Sequence, residues 1–228
     1  AEEDITFEFP VTALIGPNGS GKSSILGVAG CAYKPVKPGT FFPKSTVGDE
    51  TMGGWRVEYE LVDKQLNPRQ LTKRTSSFRQ AKWVRADVAD REVLFFGIER
   101  TVPAGEKTRY KRLMQSSYVH QPPLAKIAAS VAKQVEHILG KAVSEYQVTK
   151  YGADDFFLVG HTSAHTYSEF HFGAGESSII RMVTRIEQAP ANSLILIEEI
   201  ENGLHPIATR RMVEYLIDVA ARKSIQTV

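Results

Sequence analysis

A chain of 228 residues, 42% hydrophobic and 24% charged, is sized and composed for one α/β domain or for a core with a small subdomain. It has no apolar run near the roughly 20 residues of a membrane span. Ala1-Glu-Glu-Asp4 is acidic where a secretory signal is basic. The one cysteine, Cys31, excludes an internal disulfide and a multi-cysteine zinc site, so a cytoplasmic protein without membrane contact is expected. The net charge of +2 hides an asymmetry. Residues 64–112 hold thirteen Lys/Arg against five Asp/Glu, a balance of +8 that leaves −6 for the remainder and points to a polyanionic partner for that segment.

In chain order, Ile5-Thr-Phe-Glu-Phe9 alternates apolar and polar residues and predicts a strand, and Val11-Thr-Ala-Leu-Ile15 predicts a short buried one. The next eight residues, Gly16, Pro17, Asn18, Gly19, Ser20, Gly21, Lys22 and Ser23, fit the pattern G-x-x-x-x-G-K-[ST]. Ser23 and Ser24 open a run of helical composition. Three glycines let successive N–H groups turn inward around a phosphate, and the start of the helix adds a partial positive charge. In such a loop Lys22 reaches the β and γ phosphates, and the Ser23 hydroxyl ligates Mg²⁺. Pattern, flanking strand and following helix agree, so the stretch predicts a nucleoside triphosphate site rather than a turn that binds nothing.

Lys34-Pro-Val-Lys-Pro-Gly39 is a breaker cluster. Beyond it, Trp55–Val62 and Gln70–Thr75 predict antiparallel strands, and Arg91–Gly97 a strongly apolar central strand, which makes 31–112 an inserted antiparallel and basic segment. Arg100, just after the apolar residues 93–96, reads either as a residue near the nucleotide or, in preference, as an exposed residue at the end of that strand. Apolar residues at 124, 127, 128, 131, 132, 135, 138 and 139 have helical spacing up to Gly140 and define a helical segment within 121–143. The last part, 144–228, holds short strands at Tyr146–Thr149, Phe156–Val159 and Tyr167–Phe172, and then a helix opened by Gly173, Ala174, Gly175 and Glu176. The apolar strand Leu194–Ile197, a helix from Pro206 and a final strand at Ile225–Val228 complete it. His161 and His165 lie four apart but ahead of a strand pattern, so they read as loop residues, as does His120. A mostly parallel α/β sheet with an attached antiparallel layer and an inserted helical segment is expected.

Leu194-Ile-Leu-Ile197 ends in two carboxylates, Glu198 and Glu199. At the end of a parallel strand adjacent side chains point to different sides. Glu198 can then serve the metal while Glu199 polarises an attacking water.

The run from Glu198 to Pro206, containing Asn202, Gly203 and His205, closely resembles the Walker B and D-loop region of ABC-type ATPases of the OLD, RecF and SMC-like group. Phe172-Gly-Ala-Gly-Glu176 resembles the signature of that group, Leu-Ser-Gly-Gly-Glu in its usual form, and Gly16–Ser23 resembles its P-loop variant. The resemblance covers both ends of the chain and leaves the middle unmatched. It implies a P-loop NTPase of ABC-ATPase type spanning 1–228, with ATP and Mg²⁺ held between two protomers. In that arrangement Gly173, Ala174, Gly175 and Glu176 reach the partner's nucleotide. Gly173 in place of serine and Glu198 in place of aspartate imply slow or conditional hydrolysis. The group's switch histidine and a first strand are not found, so the chain is read as part of a longer polypeptide. The Q-loop glutamine is not placed among Gln80, Gln115 and Gln121. The arrangement looks more like the anti-phage ATPases of Septu, Gabija and PARIS type, paired with a nuclease effector, than like a coiled-coil protein. The alternative is a DNA-repair ATPase that binds DNA directly through 64–112.

Overall fold

The computed structural model describes residues 4–44, 47, 53–62, 69–79, 82–85, 88–115, 123–151, 155–162 and 164–228. In chain order the regular elements begin with α1 (Lys22–Cys31), α2 (Pro38–Phe41), β1 (Arg56–Leu61), β2 (Thr72–Arg79), β3 (Lys82–Arg85) and β4 (Val93–Phe96). There follow α3 (Lys111–Met114), β5 (Ala125–Lys126), α4 (Ala129–Leu139), β6 (Gln147–Tyr151), β7 (Asp155–His161) and β8 (Thr166–Ser168). The chain then forms α5 (Ala174–Gln188), β9 (Leu194–Ile197), α6 (Pro206–Lys223) and β10 (Gln226–Thr227). It divides into two compact units: Ala1–Phe95 with Pro190–Ile197 and Ala220–Val228, and Phe96–Ala189 with Glu198–Val219.

The core of the first unit forms around β9. Four consecutive apolar residues have no polar face to turn outward, so the strand must be covered on both sides. β10 pairs with it in parallel, Gln226 opposite Leu194, and β4 lies on its other edge. Leu194 and Leu196 pack with Leu26 and Ala29 of α1, with Tyr33, Ala89 and Val228, and with Tyr59 and Leu61 of β1. Burial of each such leucine stabilises the unit by about 1.5–3 kcal/mol. The antiparallel sheet β1–β2–β3 runs in register from Arg56↔Ser77 to Leu61↔Thr72 and from Ser76↔Arg85 to Arg79↔Lys82. Arg91 ties the strands together. Its guanidinium donates to the carbonyls of Asn192 (2.5 Å) and Ser193 (3.2 Å), to the Tyr33 hydroxyl (2.8 Å) and to Gln226 Oε1 (3.2 Å).

Three expectations in this unit change. Ile5–Phe9 forms no strand. Thr12 Oγ1 donates to the Glu8 carbonyl (2.8 Å) and accepts the Glu8 N–H (3.0 Å), a local side-chain closure that takes the place of ladder bonds. Val11–Ile15 contributes a single parallel bridge, Val11 to Thr227, and Ile15 is 94% exposed rather than buried. β4 is shorter than Arg91–Gly97 and ends the order β10–β9–β4 instead of lying at its centre.

The second unit is an antiparallel sheet in the order β5–β6–β7–β8, together with α5 and the helix packed against it, α4. α4 starts at Ala129, not Leu124. Ala125 and Lys126 pair with Val148 and Gln147, and the Ile127 N–H continues to the Tyr146 carbonyl (3.1 Å). The helix ends at Gly140 as expected. β8 stops at Ser168, and Glu169–His171 forms a 3-10 turn that sends the Glu169 carboxylate inward. There Arg181 of α5 donates to Glu169 Oε2 (2.6 Å), Asp155 Oδ1 (2.6 Å), the Tyr110 hydroxyl (2.7 Å) and the Phe156 carbonyl (2.5 Å). Burial works against the guanidinium charge, but Glu169, Tyr110 and Asp155 outweigh it and raise the pKa of Arg181. No helix among the described residues is long and apolar enough to cross a membrane.

Breaking a buried ion pair from one side strands the other charge. Arg181→Met should therefore lower unfolding free energy by about 3–5 kcal/mol in urea titrations, because Glu169 and Asp155 lose their cation.

Candidate functional site

The phosphate-loop pattern lies in the first unit. Gly19 and Gly21 have φ of 80° and 85°, and a Cβ on either would meet nothing within 4 Å. Backbone conformation, not crowding, is therefore the reason for glycine here. Gly21 is the N-cap of α1, whose first turn contains no acidic residue and no side-chain cap. The helix start thus keeps its partial positive charge. Lys22 Nζ donates to the carbonyls of Gly16 (2.8 Å) and Pro17 (2.9 Å), which folds the loop around the ammonium group. The Ser20 N–H closes the turn on the Pro17 carbonyl (3.3 Å). Asn18, Ser23 and Ser24 are exposed. Turned N–H groups, an unneutralised helix start and an ammonium group at one loop are the chemistry that a triphosphate requires, and the residues present fit it.

The paired carboxylates belong to the second unit. The Glu198 N–H still donates to the Phe96 carbonyl (3.0 Å), so Glu198 is the last residue held in the ladder beyond β9. Strand alternation stops there. Glu199 has φ 46°, a left-handed backbone on a residue with a side chain, which costs about 1–2 kcal/mol. Its carbonyl accepts the Asn202 N–H (2.8 Å), and its carboxylate receives Asn202 Nδ2 at 3.4 Å. Glu198 is half-buried and Glu199 exposed. At Glu199 the backbone thus leaves the strand through a left-handed residue rather than continuing the pleat.

Arg100 is the residue that sequence reasoning misplaces. It is half-buried in the 3-10 turn Ile98–Thr101 that follows β4. Its guanidinium donates to the Glu198 carbonyl (2.6 Å), the Glu199 carbonyl (2.5 Å) and the Gly97 carbonyl (3.0 Å). Burial lowers its pKa, while Glu198, Glu199 and Glu201 oppose that shift. An arginine a few residues past a strand carries no sequence signal for such a reach.

The signature-like and D-loop-like segments come together in this same unit. A Cβ on Gly175 would lie 2.1 Å from the Gly203 carbonyl oxygen, and Gly203 has φ 77° with Thr101 beside it. Gly173 is exposed and has open space around it. Ala174 starts α5. Glu176 is engaged within the chain: Lys141 pairs with it at 2.6 Å and the Tyr146 hydroxyl donates at 3.0 Å. His205 caps α6, its Nδ1 accepting the Ile207 N–H (3.3 Å) and its carbonyl the Thr209 N–H (3.0 Å).

The basic segment is less uniform than its composition. On the outer face of β1–β3, Lys73 pairs with Glu60 (2.6 Å) and Arg56 with Glu58 (2.5 Å). Arg85 turns inward onto the carbonyls of Val36 (2.7 Å) and Tyr33 (3.2 Å). Arg79 and Lys82 face each other across the ladder and are exposed. Gln115 follows α3 in a bend, whereas Gln80, Gln121 and His120 lie outside the described residues. His161 bonds Gln147 (3.0 Å) and Thr166 (3.1 Å).

The close backbone approach makes a direct test. Gly175→Ala should lower stability by about 1–3 kcal/mol through forced displacement of the 203 carbonyl, whereas Gly173→Ala should leave the thermal midpoint nearly unchanged.

The profile of a protein family described as "AAA domain, putative AbiEii toxin, Type IV TA system" matches residues 104–228, more than half of the chain. No curated protein and no solved structure is significantly similar to it. The matched stretch contains α5, β9, the two carboxylates and the Gly203 turn, while the phosphate-loop pattern lies outside it at the other end of the sequence. With the loop and the family profile found independently, the chain belongs to this AAA-domain family of P-loop ATPases.

Proposed function

We propose that this chain is an ATP-binding, slowly hydrolysing ABC-type ATPase whose ATP-dependent self-association controls a partner effector, as in bacterial anti-phage defence. The observation that carries the reading is the phosphate loop, with Gly19 and Gly21 in the left-handed region and Lys22 at its centre. The family's description, which names the toxin of a type IV toxin–antitoxin system, supports a defence role over housekeeping ones. Gly16–Ser24 would hold the triphosphate. The candidate Mg²⁺ ligands are the Ser23 hydroxyl in the first unit and the Glu198 carboxylate in the second; Mg²⁺ when bound would supply neutralisation of charge on the phosphate oxygens. Glu199 orients the attacking water and takes up its proton as ADP leaves. Gly173, open at the start of α5, and Ala174 beside it face the second protomer's nucleotide in this reading. Glu176 contributes indirectly, by fixing the helix start on Lys141 and Tyr146.

Light scattering with ATP and Mg²⁺ should show a mass increase for the wild type, a persistent one for Glu199→Gln and none for Lys22→Ala. Glu199→Gln should lower turnover by about 10²–10⁴-fold. A Lys22→Ala protein that binds ATP like the wild type would sink the reading.

One observation favours direct DNA binding as a second reading, namely the exposed pair Arg79 and Lys82 beside Trp83. Reversing both charges should abolish duplex binding in a salt-titrated shift assay if that reading holds. Loss of a co-purifying protein with unchanged DNA behaviour would favour the effector reading.

A further inference from the structure

The 3-10 turn Ile98–Thr101 has no place in the phosphate-loop or carboxylate patterns, yet it touches the residues that follow β9. Arg100 makes its contacts there entirely with backbone. Nη1 donates to the carbonyls of Glu198 (2.6 Å), Gly97 (3.0 Å) and Phe96 (3.4 Å), and Nη2 donates to the carbonyl of Glu199 (2.5 Å). Glu198, Glu199 and Glu201 are near enough to favour its charge. Even so, none of them forms an ion pair with it among the described residues. A guanidinium that meets carbonyls in preference to neighbouring carboxylates is placed for shape. Its planar fork can bind two successive carbonyls at once, and an ammonium group cannot reproduce that.

The carbonyls it binds belong to the residues where the backbone leaves the ladder. Glu199 adopts φ 46°, a conformation a residue with a side chain keeps only when its surroundings over-determine it. Two donors converge on the Glu199 carbonyl, Arg100 Nη2 and the Asn202 N–H. The first comes from 99 positions away in the chain and the second from the turn itself. Next to Arg100, Thr101 packs against Gly203, so the same 3-10 turn supports both ends of the segment 199–203.

We propose that Arg100 is a positioning residue for Glu199: its guanidinium holds the left-handed backbone that aims the Glu199 carboxylate, without touching substrate. The proposal rests on the reading of Glu199 as the residue that orients the attacking water. Arg100 therefore governs turnover and leaves nucleotide affinity alone, since the loop Gly16–Ser24 makes the phosphate contacts in that reading.

The test uses the full chain with Arg100→Ala, Arg100→Lys, Glu199→Gln and the double variant Arg100→Ala/Glu199→Gln. ATP hydrolysis is measured with Mg²⁺ across an ATP series, and ATP affinity by calorimetry. Arg100→Ala should lose about 10–100-fold in kcat, the size of effect that a misplaced catalytic group produces, with ATP affinity within about twofold of wild type. Arg100→Lys, which keeps the charge, should lose nearly as much. On the Glu199→Gln background the arginine change should cost nothing further. Millimolar guanidinium should restore part of the activity of Arg100→Ala and none of the double variant's. A kcat within twofold of wild type in Arg100→Ala, or an equal loss on both backgrounds, overturns the proposal. If the wild type binds ATP without hydrolysing it, the ATPase reading fails instead. The positioning claim is then decided by the crystal structure of Arg100→Ala: Glu199 should leave the left-handed region, and its retention there overturns the claim.

Discussion

A four-residue strand cannot satisfy the carbonyls on either side of it by pairing alone, and that constraint organises much of this chain. β9 is buried except at its last residue, and of the carbonyls beside it that of Ser193 accepts one ladder bond from the Gln226 N–H, while those of Asn192, Glu198 and Glu199 are met by arginine. Arginine side chains supply the donors. Within the first unit Arg91 takes the carbonyls of Asn192 and Ser193 ahead of the strand. Within the second unit Arg100 takes those of Glu198 and Glu199 after it. The two arginines flank β4 in sequence. A guanidinium can bridge several oxygens in one plane, which suits it to a strand end where two oxygens must be met together.

The second unit applies the same residue type to a different problem. Arg181 is enclosed with Glu169, Asp155 and Tyr110 and donates to all three. Such a cluster contributes less to net stability than an apolar core of the same volume, but it admits fewer alternative packings. Because Arg181 belongs to α5, the helix that begins at the signature-like glycines is fixed to β7 and to the turn after β8. Surface pairs such as Lys73–Glu60 act differently. They neutralise charge on the outer face of β1–β3 and contribute little to stability.

Much of this is legible in the sequence wherever one segment carries both the composition and the spacing of its role. The loop Gly16–Ser23, the strand Leu194–Ile197, α5 and α6 are of that kind. Ambiguity enters where two periods coincide. The apolar residues at 124, 127 and 128 satisfy a helix, but pairing with β6 makes a strand of the segment. Tyr167–Phe172 alternates like a strand, and the attraction of Arg181 for Glu169 turns its second half inward. What the sequence does not carry is reach. Nothing local to Arg100 indicates that it will meet carbonyls 98 and 99 residues away. Nor does the apolar character of Ile15 say whether anything covers it.

The contact between Gly175 and Gly203 has a mechanical consequence. With main chain lying directly on main chain, there is no rotamer between the turn after the carboxylates and the first turn of α5 that could take up slack. Side-chain contacts yield by re-choosing a torsion angle, whereas this one transmits displacement like a rigid strut. A shift of the 199–203 turn must appear at the start of α5, and a load applied to that helix start must return to Glu199.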